Sequence, residues 1–284
     1  MLGSIIGDIA GSFYEVEEIL AIKTNSEKKR NYEDRIKILD RNIPLFNDND
    51  SYTDDSILTT AIADALINNK CYENYLKKYG KREINLGLDK YGRSRFGKGF
   101  VSWLNNSSEG NSYGNGSAMR VSAAGWLADT LEDVRRLARI SAEVTHNHPE
   151  GIKGAEATAS AIFMARKNFS KEQIKDYIIN EFNYDLSRTC DEIRPDYYHV
   201  ESCQQTVPEA IIAFLEGNDF EDVIRTAVSL GGDCDTLTAI AGSIAEAYYG
   251  VPDYLKKECY QRLDDSLSEV LEKFEQLIKD KSVL

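Results

Sequence analysis

A pair of closely spaced aspartates carries the first chemical signal in this 284-residue sequence. Asp233 and Asp235 follow a Gly-Gly pair with one residue between them, and Thr236 adds a hydroxyl oxygen. Two carboxylates this close repel each other unless a positive charge lies between them. An isolated Asp-x-Asp is more often a pair of solvated loop residues, so this element alone does not identify a site.

A second acidic cluster, formed by Thr53, Asp54 and Asp55, begins another helix of small residues. An N-cap threonine followed by first-turn acids is one sufficient explanation for it. A calcium loop counted from Asp48 fails, because a threonine stands at position 6, where glycine is required, and another at position 12, where glutamate is required. Two Thr/Asp clusters at two helix starts indicate one shared site, and four converging aspartates would hold two hard cations such as Mg²⁺ or Mn²⁺.

A glycine-rich segment at 113–127 and a histidine pair could contact a substrate. Glycines before a helix N-terminus let backbone N–H groups approach a phosphate, but this segment matches neither the P-loop nor the dinucleotide fingerprint. His146 and His148 precede a long helix, and a histidine there is more often a structural hydrogen-bonding residue than a catalyst. Three histidines and five scattered cysteines form no zinc pattern.

Composition narrows the class of protein. A length of 284 residues is near the upper end for one hydrophobic core, so we predict a single domain, 1–284. The net charge of -13 argues against general nucleic-acid binding. No apolar run is long enough for a membrane span, and Asp8 interrupts the N-terminal one, which argues against a signal peptide. An odd number of scattered cysteines predicts reduced thiols and a cytoplasmic location.

Helical periodicity dominates the elements that must position these residues, so we predict an all-α, compact helical bundle. Ser170 with Gln173 forms a capping box, and Thr130 can cap a helix that ends at Ala142. The other predicted helices are 2–13, 55–68, 119–128, 150–167, 171–182, 205–216, 219–229, 236–249, 252–258 and 262–278. Irregular segments are predicted at 22–52, 104–117 and 184–204, and the first and last are expected to influence specificity.

Five elements in this order make the chain resemble the ADP-ribosylglycohydrolases. They are GSIIGDIAGSFYE at 3–15, TDDS at 53–56, GNGSAMR at 114–120, THNHPEGIKGA at 145–155 and GGDCDT at 231–236. The resemblance spans almost the whole chain, and its most specific marks are the TDD and D-x-D-T elements.

The resemblance implies a compact all-helical fold and a centre of two divalent cations, Mg²⁺ or Mn²⁺, in a cleft. The ligands that it implies are Thr53, Asp54, Asp55, Asp233, Asp235, Thr236 and Glu15. The catalytic carboxylates that it implies are Glu15, Asp54 and Asp55, one of which would take a proton from the attacking water.

The substrate contacts that the resemblance implies are Gly114, Asn115, Gly116, Ser117, Met119, Arg120 and His146. The implied reaction cleaves the C1″ glycosidic bond of an ADP-ribosyl group, through an oxocarbenium-like transition state, and releases ADP-ribose. Its partner would be an ADP-ribosylated protein or a small ADP-ribose conjugate, with arginine as the first linkage and serine, a nucleobase or a small molecule as alternatives. A non-catalytic ADP-ribose binding protein is the remaining alternative, and a monomer is expected. Tyr113, Tyr197 and Tyr198 are candidates for stacking on adenine.

Overall fold

The computed structural model describes residues 1–24, 35–88, 92, 94–106 and 110–282, with the backbone alone over 16–24 and at 282. In this part of the chain all regular structure is helical, and two isolated β-bridges stand in place of any strand. The all-α prediction is therefore confirmed. The helices are α1 (Leu2–Thr24), α2 (Asp54–Ile67), α3 (Tyr72–Leu86), α4 (Lys98–Asn106), α5 (Gly116–Met119), α6 (Ser122–Leu127), α7 (Leu131–Glu143), α8 (Pro149–Arg166), α9 (Lys171–Phe182), α10 (Cys190–Ile193), α11 (Cys203–Glu216), α12 (Phe220–Leu230), α13 (Cys234–Tyr249), α14 (Asp253–Arg262) and α15 (Asp265–Ser282), with a 3₁₀ turn at Lys37–Leu39.

Helix α13 forms the centre of the core, and α1 packs along it more extensively than any other helix. Residues 234–245 of α13 are all buried. Three glycines one turn apart on α1 permit this approach: a Cβ added to Gly7 would lie 2.2 Å from the carbonyl oxygen of Thr238, and one added to Gly11 would lie 2.5 Å from that of Cys234. Since no side chain separates the two backbones, polar residues of α1 lie directly beside the start of α13.

Two further layers complete the core. Helix α8 packs against α7, α13 and α6, and it is buried along almost its whole length. Helices α2, α3 and α4 enclose a smaller apolar cluster around Leu76, Trp103 and Leu104. The start of α2 and the start of α13 therefore come from different sides of the bundle and meet at its centre.

The predicted helix caps are confirmed. The Thr130 hydroxyl accepts a hydrogen bond from the backbone N–H of Asp133, and Ser170 and Gln173 form both bonds of the capping box. Thr53 is also an N-cap, because its hydroxyl accepts a bond from the backbone N–H of Asp55. The local explanation of the Thr53 cluster is thus correct, and it does not exclude a further role for the same residues.

The structure differs from the sequence prediction in four places. Helix α1 continues to Thr24, well beyond the predicted end at residue 13 and into the predicted irregular segment 22–52. Helices α3 and α4 were not predicted. The buried face of α3 has a single aliphatic residue, Leu76, among Tyr72, Tyr79, Gly80 and Glu83, and a glycine is typical of a turn. The predicted helix 119–128 is two short helices, interrupted after Met119, whose carbonyl oxygen instead accepts bonds from Ser4 and Thr59. The predicted irregular segments lie partly outside the described residues, over 25–34 and 107–109. Their described parts hold the end of α1, a 3₁₀ turn, the end of α4, the start of α5, the short helix α10 and the start of α11.

No helix in the described ranges is both long enough and apolar enough to span a membrane.

Candidate functional site

The two acidic clusters meet at one place. The hydroxyl of Thr236, at the start of α13, donates a hydrogen bond to Oδ2 of Asp55, at the start of α2, over 3.1 Å. The two residues are separated by 181 positions in the chain. Asp55, Asp233 and Asp235 are all buried. The fold therefore brings the carboxylates of both clusters to one buried position.

Asp8 on α1 holds the start of α2 in this arrangement. Its carboxylate accepts hydrogen bonds from the backbone N–H of Thr53 at 2.9 Å, the Thr53 hydroxyl at 2.7 Å and the backbone N–H of Ser56 at 3.0 Å, and also from the Ser56 hydroxyl. Both of its oxygens are thus engaged. The sequence analysis treated Asp8 only as an interruption of an apolar run; a charge on the buried stripe of a helix was the signal that could have identified it.

Burial and mutual repulsion make the charged forms of these acids unfavourable. Burial, and next the negative charge of Asp235, raise the pKa of Asp54, Asp55 and Asp233 well above its usual value. The same two causes raise the pKa of Asp8 to about 7. Since a buried charge needs a partner, the cluster requires either protons or cations to neutralise it.

The donor atoms fit divalent cations. One oxygen each of Asp8, Asp55 and Asp235 lie within 4.8 Å of one another, and so do one oxygen each of Glu15 and Asp233 and a nitrogen of His199. Oδ1 of Asp55 is buried and has no hydrogen-bond partner. Carboxylate and hydroxyl oxygens are the ligands that Mg²⁺ and Mn²⁺ prefer. The arrangement therefore fits a hard cation.

A cleft of about 630 Å³ opens onto this cluster, a size typical of small-molecule sites. The sequence-predicted residues that line it are Glu15, Thr53, Asp54, Asp55, Gly114, Asn115, Gly116, Met119, Arg120, His146, Asp233, Asp235 and Thr236. Ser117 is the exception: it is fully buried, and its hydroxyl donates to the carbonyl oxygen of Gly151 instead of facing the cleft.

A hydrogen-bond chain links Arg120 to His146 through the hydroxyl of Thr145. Arg120 is fully buried and donates to the hydroxyl of Thr145 over 2.8 Å. The same hydroxyl lies 2.7 Å from Nδ1 of His146. The Thr145 hydroxyl has a second lone pair, so the contact with Nδ1 forms in either direction; where Thr145 donates to Nδ1, the ring proton sits on Nε2. Nε2 faces the glycine segment, since a Cβ on Gly116 would lie 3.0 Å from it. Burial, with a contribution from Arg120, lowers the pKa of His146 to about 3.

His148 and the three tyrosines considered for stacking on adenine are not among the residues that line the cleft. His148 is the N-cap of α8, and its Nδ1 accepts a hydrogen bond from the backbone N–H of Glu150, which confirms the structural interpretation for this histidine. Tyr113 contacts the His148 ring edge-on and is 55% exposed, while Tyr198 is 59% exposed. Tyr197 packs against the backbone of Gly232.

Two groups around the cleft were missed by the sequence analysis. His199 lies beside Glu15 and Asp233, although it is far from both in the chain. Residues 94–103 supply one wall, including Arg95, whose guanidinium lies 3.5 Å from the buried Glu83 and over the ring of Tyr52. Neither could be recognised from residue spacing, because residues 94–103 and His199 are brought close to the other site residues only by the tertiary fold.

Comparison with known proteins adds independent information. The sequence model of the family described as ADP-ribosylglycohydrolase matches residues 1–282. The ADP-ribosylhydrolase ARH3 of Homo sapiens is 26% identical, over 96% of this chain and 93% of that protein. The ADP-ribosylarginine hydrolase Tri1 of Pseudomonas putida is 26% identical, over 60% of this chain and 48% of that protein.

A solved structure shares the fold. A chain of an ADP-ribosylglycohydrolase-related protein complex superimposes with a TM-score of 0.57 and 22% identity, over 78% of this chain and 81% of that chain. At this identity the likeness establishes the helical architecture and nothing about the reaction.

Proposed function

The chain belongs to the ADP-ribosylglycohydrolase family, and from that premise we propose that it is a hydrolase, dependent on divalent cations, that releases ADP-ribose from a modified arginine side chain. The observation that carries the proposal is the meeting of Asp55 with Thr236, which joins two acidic clusters in one buried site at the base of a cleft. The number of mutually repelling carboxylates argues against a protein that binds ADP-ribose without cleaving it, and the assay below separates the two functions.

We assign the residues of the site three roles: cation ligand, substrate contact and catalytic base. The proposed cation ligands are Thr53, Asp54, Asp55, Asp233, Asp235, Thr236 and Glu15. When bound, two Mg²⁺ or Mn²⁺ ions would neutralise these acids, orient the distal ribose hydroxyls and make a water more acidic. The threonine hydroxyls fit this role because each retains a lone pair after the hydrogen bonds that it makes to Asp8 or Asp55.

The substrate's diphosphate and distal ribose are proposed to lie along residues 114–120. Gly114 and Gly116 leave open the space beside His146, whose Nε2 faces them and is a donor in the tautomer in which Thr145 donates to Nδ1. Asn115 is fixed by hydrogen bonds from its side chain to Asp233 and Thr206. A neutral histidine with a defined donor suits a phosphate or hydroxyl oxygen, and the glycines let the substrate approach the backbone.

Cleavage at C1″ requires a base that takes a proton from the attacking water and a site that tolerates positive charge on the ribose. Glu15, Asp54 and Asp55 all line the cleft, and one of them is proposed as the base. Burial raises the pKa of Asp54 and Asp55, so that in the charged form each is a stronger base than a solvated carboxylate.

Arginine is the first linkage to test, because the relative whose name specifies a linkage, Tri1, acts on ADP-ribosylarginine. The experiment incubates purified protein with peptides ADP-ribosylated on arginine or serine, and with small ADP-ribose conjugates, in Mg²⁺, Mn²⁺ or EDTA. Release of free ADP-ribose is followed by chromatography.

We expect release from the arginine peptide with either metal and none in EDTA. Release from another linkage alone keeps the hydrolase proposal and replaces the leaving group. Full activity in EDTA would exclude the cation requirement. Binding of ADP-ribose without release in every condition would identify a binding protein instead, and Asp235→Ala serves as the matched inactive variant.

A further inference from the structure

We propose that His199 is a ligand of one of the two cations, so that this centre contains a nitrogen donor beside its oxygen donors. The inference rests on the proposed function only in placing a divalent cation in the cleft. One ring nitrogen of His199 and one oxygen each of Glu15 and Asp233 lie within 4.8 Å of one another. Ligands on opposite sides of one Mg²⁺ ion are about 4.2 Å apart, so a small side-chain adjustment lets all three bind a single ion.

The surroundings of the imidazole favour this role. Nε2 of His199 lies 3.2 Å from a carboxylate oxygen of Glu201, and Nδ1 lies 3.5 Å from the carbonyl oxygen of Gly232, at the limit of a hydrogen bond. Metal-binding histidines usually donate their second ring N–H to a carboxylate or carbonyl group, which fixes the ring. Glu201 can hold the Nε2–H in this way. The Nδ1 lone pair then binds the ion when the ring turns Nδ1 away from the Gly232 carbonyl oxygen, which is only an acceptor.

The loop that carries His199 is fastened on both sides of it. Before it, Tyr197 packs so closely on Gly232 that a Cβ there would lie 2.3 Å from the tyrosine ring. After it, the backbone N–H of Asn115 donates to the carbonyl oxygen of Glu201 over 2.8 Å. These contacts join the loop to Gly232, which precedes Asp233, and to Asn115, which lines the cleft. His199 is therefore held beside Asp233 by the fold, with 17% of its side chain exposed.

A nitrogen ligand would make the two cation positions chemically different. The position near Asp8, Asp55 and Asp235 offers only oxygen donors, which suits Mg²⁺ and Mn²⁺ alike. The position near Glu15, Asp233 and His199 adds an imidazole, which is better suited to transition metals than to Mg²⁺. We therefore expect the second position to prefer Mn²⁺ over Mg²⁺.

The test is pulsed electron paramagnetic resonance of Mn²⁺ bound to the metal-stripped protein, which detects nitrogen nuclei bonded directly to the ion. We expect ¹⁴N coupling in the wild type, and its replacement by ¹⁵N coupling when the histidines alone carry ¹⁵N. His199→Gln should lose the coupling and weaken Mn²⁺ binding by about tenfold or more in calorimetry, with a smaller loss of Mg²⁺ affinity.

The chain contains only three histidines, so a decisive second variant exists. His146→Gln combined with His148→Gln leaves His199 as the sole histidine, and the ¹⁴N coupling must persist in this double variant. The inference would be overturned by absence of coupling in the wild type, or by coupling that survives His199→Gln and disappears in the double variant. The double variant also decides the question if His199→Gln does not fold.

These outcomes are independent of turnover. A wild-type protein that releases ADP-ribose but shows no nitrogen coupling keeps the proposed function and refutes the His199 ligand. A wild-type protein that shows the coupling but releases no ADP-ribose supports the His199 ligand and refutes the proposed function.

Discussion

Asp8 and Thr53 are joined by two hydrogen bonds, from the threonine backbone N–H at 2.9 Å and from its hydroxyl at 2.7 Å. Through this contact α1 determines the position of the first turn of α2, which presents Asp54 and Asp55 to the cleft. Asp8 also accepts both the backbone N–H and the hydroxyl of Ser56. We interpret it as a positioning residue, because both of its oxygens accept hydrogen bonds from Thr53 and Ser56, which flank Asp54 and Asp55; one of these oxygens also lies within 4.8 Å of an oxygen of Asp55 and one of Asp235.

The first prediction concerns this positioning. In Asp8→Asn one oxygen acceptor becomes an NH₂ group that faces the donors of Thr53 and Ser56, so the start of α2 must shift. We expect Mn²⁺ affinity to fall by about 10- to 100-fold, as is usual when a residue that orients a metal ligand is lost. Isothermal titration of the metal-stripped protein measures it. Asp64→Asn, which removes a charge from the outer part of the same helix, is the control; equal affinities in the two variants would contradict the positioning role.

The second prediction is that the Asp55 carboxylate lowers the stability of the cation-free protein but is needed to bind the cation. Its buried Oδ1 has no partner, and burial with the charge of Asp235 raises its pKa. Asp55→Asn removes that repulsion and can still accept the bond from Thr236. In EDTA we therefore expect the variant to be more stable than the wild type, by about 1–3 kcal/mol in urea unfolding.

Divalent cations should reverse this order. At 100 times the dissociation constant a bound cation adds about 2.7 kcal/mol to the free energy of unfolding. We expect Mn²⁺ to stabilise the wild type by this amount or more and to leave Asp55→Asn nearly unchanged. An exposed control, Asp185→Asn, should behave as the wild type does. A variant that is less stable than the wild type in EDTA would show that the unpaired carboxylate is not the source of strain.

The third prediction concerns the close packing of α1 on α13. Gly7→Ala places a Cβ 2.2 Å from the carbonyl oxygen of Thr238, where only a movement of one backbone can relieve the overlap. We expect a loss of about 3 kcal/mol or more of stability, since overpacking a rigid contact commonly costs 1–3 kcal/mol and here the neighbour is backbone. Urea denaturation measures it.

Gly99→Ala is the matched control for that substitution. Gly99 lies in helix α4, and a Cβ there would meet no atom within 4 Å. Replacing an unstrained helical glycine by alanine stabilises a protein by about 0.4–1 kcal/mol. The two variants should therefore shift stability in opposite directions, and a similar loss in both would mean that helix propensity and not the interhelical contact controls the result.

Much of the site could be predicted from sequence because its signals are local. Thr53 and Asp55 predict a capped helix. Asp233 and Asp235 indicate a pair of carboxylates that repel each other unless their charge is neutralised. Their meeting, through the Thr236 hydroxyl, could only be hypothesised, since Asp55 and Thr236 are 181 positions apart and no local pattern gives the distance between them. The all-α class followed from periodicity, which is strong in long amphipathic helices such as α15.

The residues that were missed depend on tertiary contacts. His199 has no neighbour in sequence that indicates a ligand, and it reaches Asp233 because Tyr197 packs on the bare backbone of Gly232. Helix α3 was missed because its buried face is formed by Tyr72, Leu76 and Tyr79 around a glycine, a composition that periodicity of aliphatic residues does not detect. Ser117 belongs to a motif that lines the cleft, yet its side chain faces the interior.

The last prediction is a pH dependence of stability at His146. Burial, with the nearby charge of Arg120, lowers the pKa of His146 to about 3 in the folded protein, from a usual value of 6.5. Between these values the unfolded chain binds a proton that the folded chain does not. The contribution of neutral His146 to the free energy of unfolding is therefore fully present above pH 6.5. It is lost as the pH falls toward 3, by at most about 1.4 kcal/mol per pH unit. Because the ring is partly exposed at the cleft, a smaller slope is expected.

His146→Asn isolates this contribution, because the amide oxygen can take the place of Nδ1 as acceptor for the Thr145 hydroxyl, but it does not titrate. We expect the stability difference between wild type and variant to change by about 1 kcal/mol in favour of the variant between pH 7.5 and pH 5. Urea unfolding in EDTA at both pH values measures it, and the titration of the acidic cluster, common to both proteins, cancels in the difference. A difference that is constant with pH would mean that His146 is protonated in the folded protein as readily as in the unfolded chain, and that the chain from Arg120 through Thr145 does not hold the neutral tautomer that the proposed substrate contact requires.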